Sequence, residues 1–184
     1  MTHPPVSPRP DAIHWKSPLW LLAALLASLA TLGPFAIDAY LPAFEGITRD
    51  LATGPVQMQQ TLSGYLLGFS VMMLFHGALS DSFGRRRIVF GGLLAFALAS
   101  AVCASSTHIG TLIAGRVIQG MSCGAGMVVG RAIVRDLFSA SDAQRLMSQI
   151  TLFFGIAPAV APIVGGWVFT LIGWRAIFWL LALI

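Results

Sequence analysis

The sequence GALSDSFGRRR at residues 77–87 holds one acidic and three basic side chains between two long apolar runs. The runs Leu51 to Ser80 and Ile88 to Gly115 contain no charged residue, and each exceeds the ~20 residues that cross a bilayer. Gly84 permits a sharp change of direction, since glycine adopts backbone angles that other residues avoid. The stretch therefore predicts a tight turn between two membrane-spanning helices.

The composition extends this prediction to the whole chain. Hydrophobic residues make up 57% of the 184 residues and charged residues 10%, whereas about a quarter of the residues in soluble domains are charged. The fold class is therefore an all-α membrane protein. The last apolar run has no room to complete a span before Ile184, and a helix that stops in hydrocarbon leaves carbonyls unsatisfied. The chain is therefore expected to be truncated in its sixth helix. Spans are predicted near residues 18–44, 56–79, 88–106, 109–134 and 146–171, with an incomplete one at 176–184.

The positions of the basic residues predict the orientation of these helices. Residues 1–17, which include four prolines, are expected to be a disordered cytoplasmic tail ahead of the bundle at 18–184. A cleaved signal peptide is the alternative, but apolar residues continue past the small residues at 27–30, so a retained first helix fits better. Cytoplasmic loops are enriched in Lys and Arg. An inward amino terminus puts these basic residues inside: Arg9, Lys16, Arg85, Arg86, Arg87, Arg131, Arg135 and Arg145.

Several classes of function are not supported by the sequence. The net charge is +4, but the basic residues lie between apolar segments instead of forming a nucleic-acid surface. Cys103 and Cys123 both fall in apolar runs, which argues against a disulfide framework or a metal site. No nucleophile with a base and no phosphate-binding loop is recognisable. The sequence predicts no enzyme, no metal site, no cofactor and no nucleic-acid partner.

Two charged side chains fall inside predicted spans, where a charge costs at least ~2.5 to 3.5 kcal/mol and so indicates function. Asp38 lies in the outer part of the first span, and a partly desolvated carboxylate there could load and release a proton. The alternative is an interfacial aspartate that meets water. Arg116 lies in the fourth span and cannot lose its charge, so it faces protein or a wet cavity unless it snorkels to the interface. Together, Asp38 and Arg116 are predicted to line one aqueous cleft.

Three further groups of residues are predicted to serve a conformational cycle. Asp81 could pair with bases of its own turn or with a neighbouring helix end, and the alternative is an ordinary basic loop. Such pairing would form a conformational latch, a contact that breaks when the protein changes conformation. The residues of the predicted latch are Gly77, Asp81, Gly84, Arg85 and Arg86. The fifth span carries a group of prolines and glycines, which bend helices and let backbones approach closely: Gly155, Pro158, Pro162, Gly165 and Gly166. They are predicted to form a bent, tightly packed helix that closes the cavity against leakage, and the alternative is simple packing. Weaker signals predict that polar residues line a cavity: Thr31, Tyr40, Gln60, Tyr65 and Gln119.

These motifs together resemble the major facilitator superfamily. The turn at 77–87 looks like the signature between its second and third helices, although Ala78, Ser82 and Arg87 depart from the usual residues. Arg116-Val117-Ile118-Gln119-Gly120 is similar to the fourth-helix motif, and residues 155–167 resemble the fifth-helix motif of antiporters. Residues 32–43, LGPFAIDAYLPA, resemble the first helix of drug:proton antiporters of the Bcr/CflA group.

The resemblance implies an amino-terminal six-helix half of a twelve-helix transporter, which needs a carboxy-terminal half to complete its cavity. Asp38 would be the proton-linked carboxylate and Arg116 the arginine tied to proton coupling. The implied function is antiport of protons against bicyclomycin, chloramphenicol or sulfonamide-type drugs across the bacterial inner membrane. Protons, the drug and the lipid bilayer are then the partners, and the proton gradient is the energy source. The alternatives are a proton-coupled nutrient symporter of the same superfamily and a short membrane subunit that transports nothing.

Overall fold

A computed structural model describes residues 19–184, and the predicted tail at residues 1–17 lies outside them. The described residues are helical almost throughout and contain no strand, which confirms the all-α prediction. The helices are α1 (Leu19–Asp38), α2 (Phe44–Asp50), α3 (Pro55–Phe83), α4 (Arg85–Ala104), α5 (Ile109–Leu137), α6 (Ala140–Leu171) and α7 (Trp174–Leu183).

The lengths and surfaces of these helices fit a bilayer. In the part of the chain that is described, five helical segments are long and apolar enough to cross a membrane, if α1 and α2 are taken together. Large apolar side chains point outward, and both Leu74 and Leu171 are 80% exposed. Such exposure is costly in water but not in lipid, whose tails are as apolar as leucine. The prediction of a multi-pass membrane protein is confirmed.

The first predicted span, residues 18–44, is not a single helix. α1 ends at Asp38, and a 3-10 turn over Leu41–Ala43 leads into α2. Pro42 accounts for the break, because proline lacks a backbone N–H and its ring clashes with the preceding helical turn. As a result, Asp38 and Tyr40 lie at the end of a helix, where their side chains can turn toward neighbouring elements.

The fifth span also begins elsewhere than predicted. α6 starts at Ala140, ahead of the predicted start at residue 146. Ser139 fixes this start, because its hydroxyl accepts a hydrogen bond from the Asp142 N–H at 3.3 Å. Serine at this position satisfies one of the free N–H groups at a helix start. The helix therefore begins in the polar turn, while the prediction followed only the apolar run.

α5 is the central helix of the bundle. It packs against α1, α3 and α4, while α1 also packs against α6, and α4 against α7. Glycines bring α3 and α5 close together. A Cβ at Gly120 would overlap the Tyr65 carbonyl, and one at Gly68 would lie 2.5 Å from the Val117 carbonyl oxygen. Since small residues allow such approach between helices in lipid, α5 carries its polar side chains into the middle of the bundle.

Candidate functional site

Arg116 is a fully buried charge in the centre of the bundle, with 0% of the residue exposed. Its guanidinium carbon lies 4.6 Å from the ring centroid of Tyr40 and 4.2 Å from that of Tyr65. Tyr40 follows α1 and Tyr65 belongs to α3, so three elements meet at one side chain. An aromatic face stabilises a desolvated cation by about 2 kcal/mol. The two rings therefore replace part of the hydration that Arg116 loses.

Hydrogen bonds connect Arg116 to two further helices. Its Nη1 donates to Gln119 Oε1 at 2.7 Å and to the Ala36 carbonyl of α1 at 3.4 Å. Gln119 Nε2 donates to the Ser100 hydroxyl at 2.7 Å, and that hydroxyl donates to the Phe96 carbonyl of α4. A chain of polar contacts thus runs from α1 through α5 to α4. We call Arg116, Tyr40, Tyr65 and Gln119 the arginine cage.

The charge of Arg116 is not neutralised within residues 19–184. No carboxylate in this range lies within salt-bridge distance of the guanidinium, and the buried Nε and Nη2 find no acceptor. Each unpaired buried polar group costs roughly 1–3 kcal/mol, and a charged one costs more. A charge of this kind inside a membrane-spanning bundle makes Arg116 a candidate functional residue.

Within residues 19–184, three of the side chains that are predicted to line a cavity are completely buried: Tyr40, Tyr65 and Gln119. The Tyr40 hydroxyl shares a hydrogen bond of 2.8 Å with the Thr61 hydroxyl, and the Tyr65 hydroxyl donates to the Gly33 carbonyl at 3.0 Å. These bonds fix both rings against the guanidinium. The three side chains are buried here because they surround a desolvated arginine, which is stabilised by the two aromatic faces and the amide oxygen.

Asp38 and Arg116 are not brought into contact. Asp38 is half-buried at the end of α1, and no ion pair joins it to Arg116 among the described residues. The link between them is the backbone, since the Ala36 carbonyl accepts from Arg116. Arg116 is enclosed within residues 19–184 while Asp38 is partly open, so a common cleft for the two stays a prediction. The other two predicted lining residues, Thr31 and Gln60, are half-buried and exposed respectively.

The turn between α3 and α4 is tied to the end of α5. Gly84 joins the two helices with a φ of 90°, a left-handed backbone that favours glycine. Arg85 then forms an ion pair with Asp136, near the end of α5. Asp136 is not among the predicted latch residues. The sequence gives little indication of this role. Asp136 follows Arg135 near a predicted helix end, on the same side of the membrane as the turn at Gly84.

The remaining latch residues make no ion pair with one another. Asp81 is exposed and has no basic partner among residues 19–184. With Gly77 and Arg131 it lines a cavity of about 490 Å³ between α3 and α5. Arg86 is exposed and lies 5.6 Å from the centroid of the Phe90 ring. Asp81 therefore faces open space at this end of the bundle.

The proline and glycine residues of α6 differ in what they contact. A Cβ at Gly165 would overlap the Ala39 carbonyl, whereas one at Gly155 would meet nothing within 4 Å. A Cβ at Gly166 would make only an ordinary van der Waals contact with the Pro42 Cβ at 4.0 Å. Two prolines lie inside the helix without ending it: Pro158 and Pro162. Of these glycines, Gly165 alone is needed for the close approach of α1 and α6.

A cavity of about 260 Å³ lies between α1, α5 and α6. Its apolar lining includes Met127, Met147 and Phe154, and Arg131 and Thr151 add polar groups. Methionine side chains are flexible and polarizable, so they adapt to ligands of different shape. None of these residues is predicted from the sequence as a site residue, because each is ordinary in an apolar helix and only the packing of three helices brings them together.

Comparison with known proteins gives consistent results. The family model described as Major Facilitator Superfamily matches residues 19–184. A bicyclomycin resistance protein homolog from Haemophilus influenzae is 40% identical over 159 residues, which is 86% of this chain and 40% of that protein. The uncharacterized MFS-type transporter YdgK of Bacillus subtilis is 41% identical over 165 residues, 89% of this chain and 41% of that protein. Multidrug resistance protein D of Escherichia coli is 33% identical over 157 residues, 85% of this chain and 40% of that protein.

The chain spans about 40% of the length of these curated relatives. The matched region contains α1 to α7, and so includes the arginine cage and the turn at Gly84. The resemblance to drug-resistance members of the superfamily is confirmed by relatives named for bicyclomycin and multidrug resistance. Proteins of this kind are transporters and not enzymes. By its helices, its motifs and its matched length, the chain belongs to the major facilitator superfamily.

Proposed function

We propose that this chain forms part of a proton-coupled drug exporter in the bacterial inner membrane. The observation that carries the proposal is the buried, uncompensated charge of Arg116, held beside the end of α1 that bears Asp38. Charges inside membrane proteins mark ion and proton pathways. Relatives named for bicyclomycin and multidrug resistance support a drug as the exported solute.

Asp38 is proposed as the group that takes up and releases the proton. It is half-buried and has no basic partner among the described residues. An opposite charge nearby favours the ionised carboxylate. A movement of α1 that carries Asp38 toward Arg116 would therefore favour proton release, and the reverse movement would favour uptake. The Ala36 carbonyl, already bonded to Arg116, couples the position of α1 to the cage.

The drug is proposed to contact the cavity between α1, α5 and α6. Its methionine and phenylalanine side chains suit lipophilic molecules of varied shape, while Arg131 offers one charged donor. Because α1 borders both this cavity and the arginine cage, a bound drug and a bound proton would each bias the same helix. Exchange requires that the two conformations differ in affinity for both ligands.

The Arg85–Asp136 ion pair is proposed as the closed form of the latch at the cytoplasmic end. It joins the turn at Gly84 to α5, so it would resist separation of these elements. The orientation with the amino terminus inside follows from the positive-inside rule and belongs to the same proposal.

The test uses the full-length transporter reconstituted in proteoliposomes. Addition of bicyclomycin, chloramphenicol or a sulfonamide should release protons from the wild-type protein, and Asp38→Asn should abolish that release. Glu45→Gln is the matched control, because Glu45 is an exposed carboxylate on α2. Undiminished antiport in Asp38→Asn would refute the role of Asp38. Proton-driven accumulation of a nutrient, with no response to any drug, would favour the symporter instead.

A further inference from the structure

A groove on the surface of the bundle opens between α3 and α4, with α5 as its floor. α3 and α4 contact α5 far more than they contact each other, so the groove stays open between them. It has a volume of about 330 Å³, and its walls are mainly apolar, with Met72 and Leu79 from α3, Ile88 from α4 and Met121 from α5. The groove therefore has the character of a site for a hydrocarbon chain.

Two adjacent glycines shape the wall that α4 contributes. A Cβ at Gly92 would lie 2.7 Å from the Ala125 Cβ, so Gly92 holds α4 close to α5. A Cβ at Gly91 would meet nothing within 4 Å, so Gly91 leaves the groove open. Apolar side chains on the surrounding surface are exposed, with Leu74 at 80% and Phe90 at 62%. The groove therefore opens onto the apolar outer surface of residues 19–184, away from the buried core around Arg116.

One end of the groove carries an arginine, Arg87, whose charge is not neutralised within the described part of the chain. Arg87 lines it and is exposed, and no carboxylate among residues 19–184 lies within salt-bridge distance of Arg87. Arg85 differs, because Asp136 neutralises it. Gly84 offers no side-chain cap to α4, so the first N–H groups and the positive end of the helix dipole remain available to an anion. His76, 4% exposed and with an unpartnered Nδ1, also borders the groove.

We infer that this groove binds an anionic phospholipid. Its phosphate lies against Arg87 and the first turn of α4, and one acyl chain occupies the groove between Met72, Ile88 and Met121. From Arg87 to Ala95 the groove follows α4 for about two helical turns, roughly 12 Å, enough for the upper part of an acyl chain. Basic residues between helices at a membrane surface attract anionic lipid in this way. The site does not depend on the proposed transport activity.

The test is lipid titration of the purified, delipidated full-length protein, followed by native mass spectrometry. Dioleoyl-phosphatidylglycerol is the anionic probe and dioleoyl-phosphatidylcholine the zwitterionic one. The wild-type protein should bind the first more tightly. Arg87→Gln should weaken phosphatidylglycerol binding roughly fivefold, the amount expected for one arginine near a membrane surface. Arg86→Gln is the matched control, because Arg86 contacts the Phe90 ring instead of the groove.

A second variant tests the groove itself. Gly91→Leu keeps every charge and fills open space, so it should reduce tight binding of phosphatidylglycerol while leaving the fold intact by circular dichroism. Equal binding of the two lipids by the wild type would overturn the inference. So would equal losses in Arg86→Gln and Arg87→Gln, since that result indicates diffuse attraction to a basic loop. Unchanged binding in Gly91→Leu would show that no acyl chain lies in the groove.

Discussion

Arg116 is held by two aromatic rings and an amide oxygen, with no carboxylate among the described residues. This set of contacts suits a planar guanidinium, which stacks on aromatic faces while it donates hydrogen bonds in its own plane. A lysine would keep the charge and lose the stacking. The residue therefore combines a permanent charge with a fixed orientation, as its proposed action on Asp38 requires.

Arg116→Met is expected to separate function from folding. Methionine removes the desolvation cost of the charge and two unpaired buried donors. It also removes the contacts with both tyrosine rings and leaves Gln119 Oε1 without its partner, so the terms nearly cancel. The free energy of unfolding should change by less than about 2 kcal/mol. Drug-driven proton release in proteoliposomes should fall at least tenfold. Denaturant unfolding and transport assays on the full-length protein measure the two quantities.

Arg49→Met is the control for this prediction, because Arg49 is an exposed arginine on α2. It should alter neither stability nor transport. If Arg116→Met transports normally, Arg116 serves packing alone. If the variant does not fold, the cage is mainly structural. Either result contradicts the prediction.

Single residues were the most predictable part of the site. Asp38 and Arg116 can be found in the sequence because charge is expensive in a span, whatever surrounds it. The side chains that surround Arg116 could not be identified from the cost of a buried charge. Tyr40 and Tyr65 meet Arg116 only because three separate elements pack together, and Asp136 meets Arg85 only because α5 ends beside the turn at Gly84.

At the scale of the helix, α6 offers an internal comparison between glycines that differ in packing. Gly165→Ala should destabilise the protein by about 1–3 kcal/mol, the usual cost of overpacking, because its Cβ would overlap the Ala39 carbonyl. Gly155→Ala should be neutral or stabilise by up to about 1 kcal/mol, since alanine favours helix and the site is open. Thermal unfolding in detergent of both variants, compared with wild type, provides the measurement.

Gly165→Ala should also reduce transport, because it pushes α6 away from the end of α1 that carries Asp38. Gly155→Ala should transport as wild type does. Equal stability of the two variants would mean that α1 and α6 separate without cost. The close approach at Gly165 would then have no part in holding the helix.

The helices themselves were predictable from apolar runs, whereas several of their ends were not. Hydrophobicity predicts which residues lie in the lipid, but it does not predict the residue at which a helix begins or ends. α6 starts at Ala140 because Ser139 caps it, and α1 stops at Asp38 ahead of Pro42. Both signals are local and polar. They fall outside or at the edge of the apolar runs that set the predicted boundaries.

At the scale of the whole bundle, the charged side chains of residues 19–184 lie mainly at its two ends, and Arg116 is the exception. At one end Arg85 pairs with Asp136. At the other, Asp50 accepts from Trp174 Nε1 at 2.8 Å and from Arg175 at 3.4 Å. Arg175 also donates to the Ser106 carbonyl at 3.2 Å, which ties the start of α7 to the loop between α4 and α5. The apolar middle and the polar ends fix the depth of the bundle in a bilayer but leave open which end faces the cytoplasm.

The orientation can be tested with cysteines placed at opposite ends of α4. Ser82 and Thr107 are both exposed, and they lie beyond the two ends of a helix about 30 Å long. If the amino terminus is inside, a membrane-impermeant maleimide added to intact cells should label Thr107→Cys and not Ser82→Cys. After permeabilisation both should react. The positive-inside rule gives this expectation, since the three consecutive arginines resist translocation.

The two native cysteines are not expected to contribute labelling of their own in this experiment. Cys103 and Cys123 are 0% and 4% exposed, and buried thiols are unreactive, so the parent protein should not be labelled once cysteines outside residues 19–184 are replaced by serine. Labelling of Ser82→Cys in intact cells would show that the bundle has the opposite orientation in the membrane. The Arg85–Asp136 pair would then lie at the periplasmic end, and Asp38 would meet the cytoplasm. Proton entry from outside would no longer reach Asp38 first, so the direction of the proposed exchange would have to be reversed.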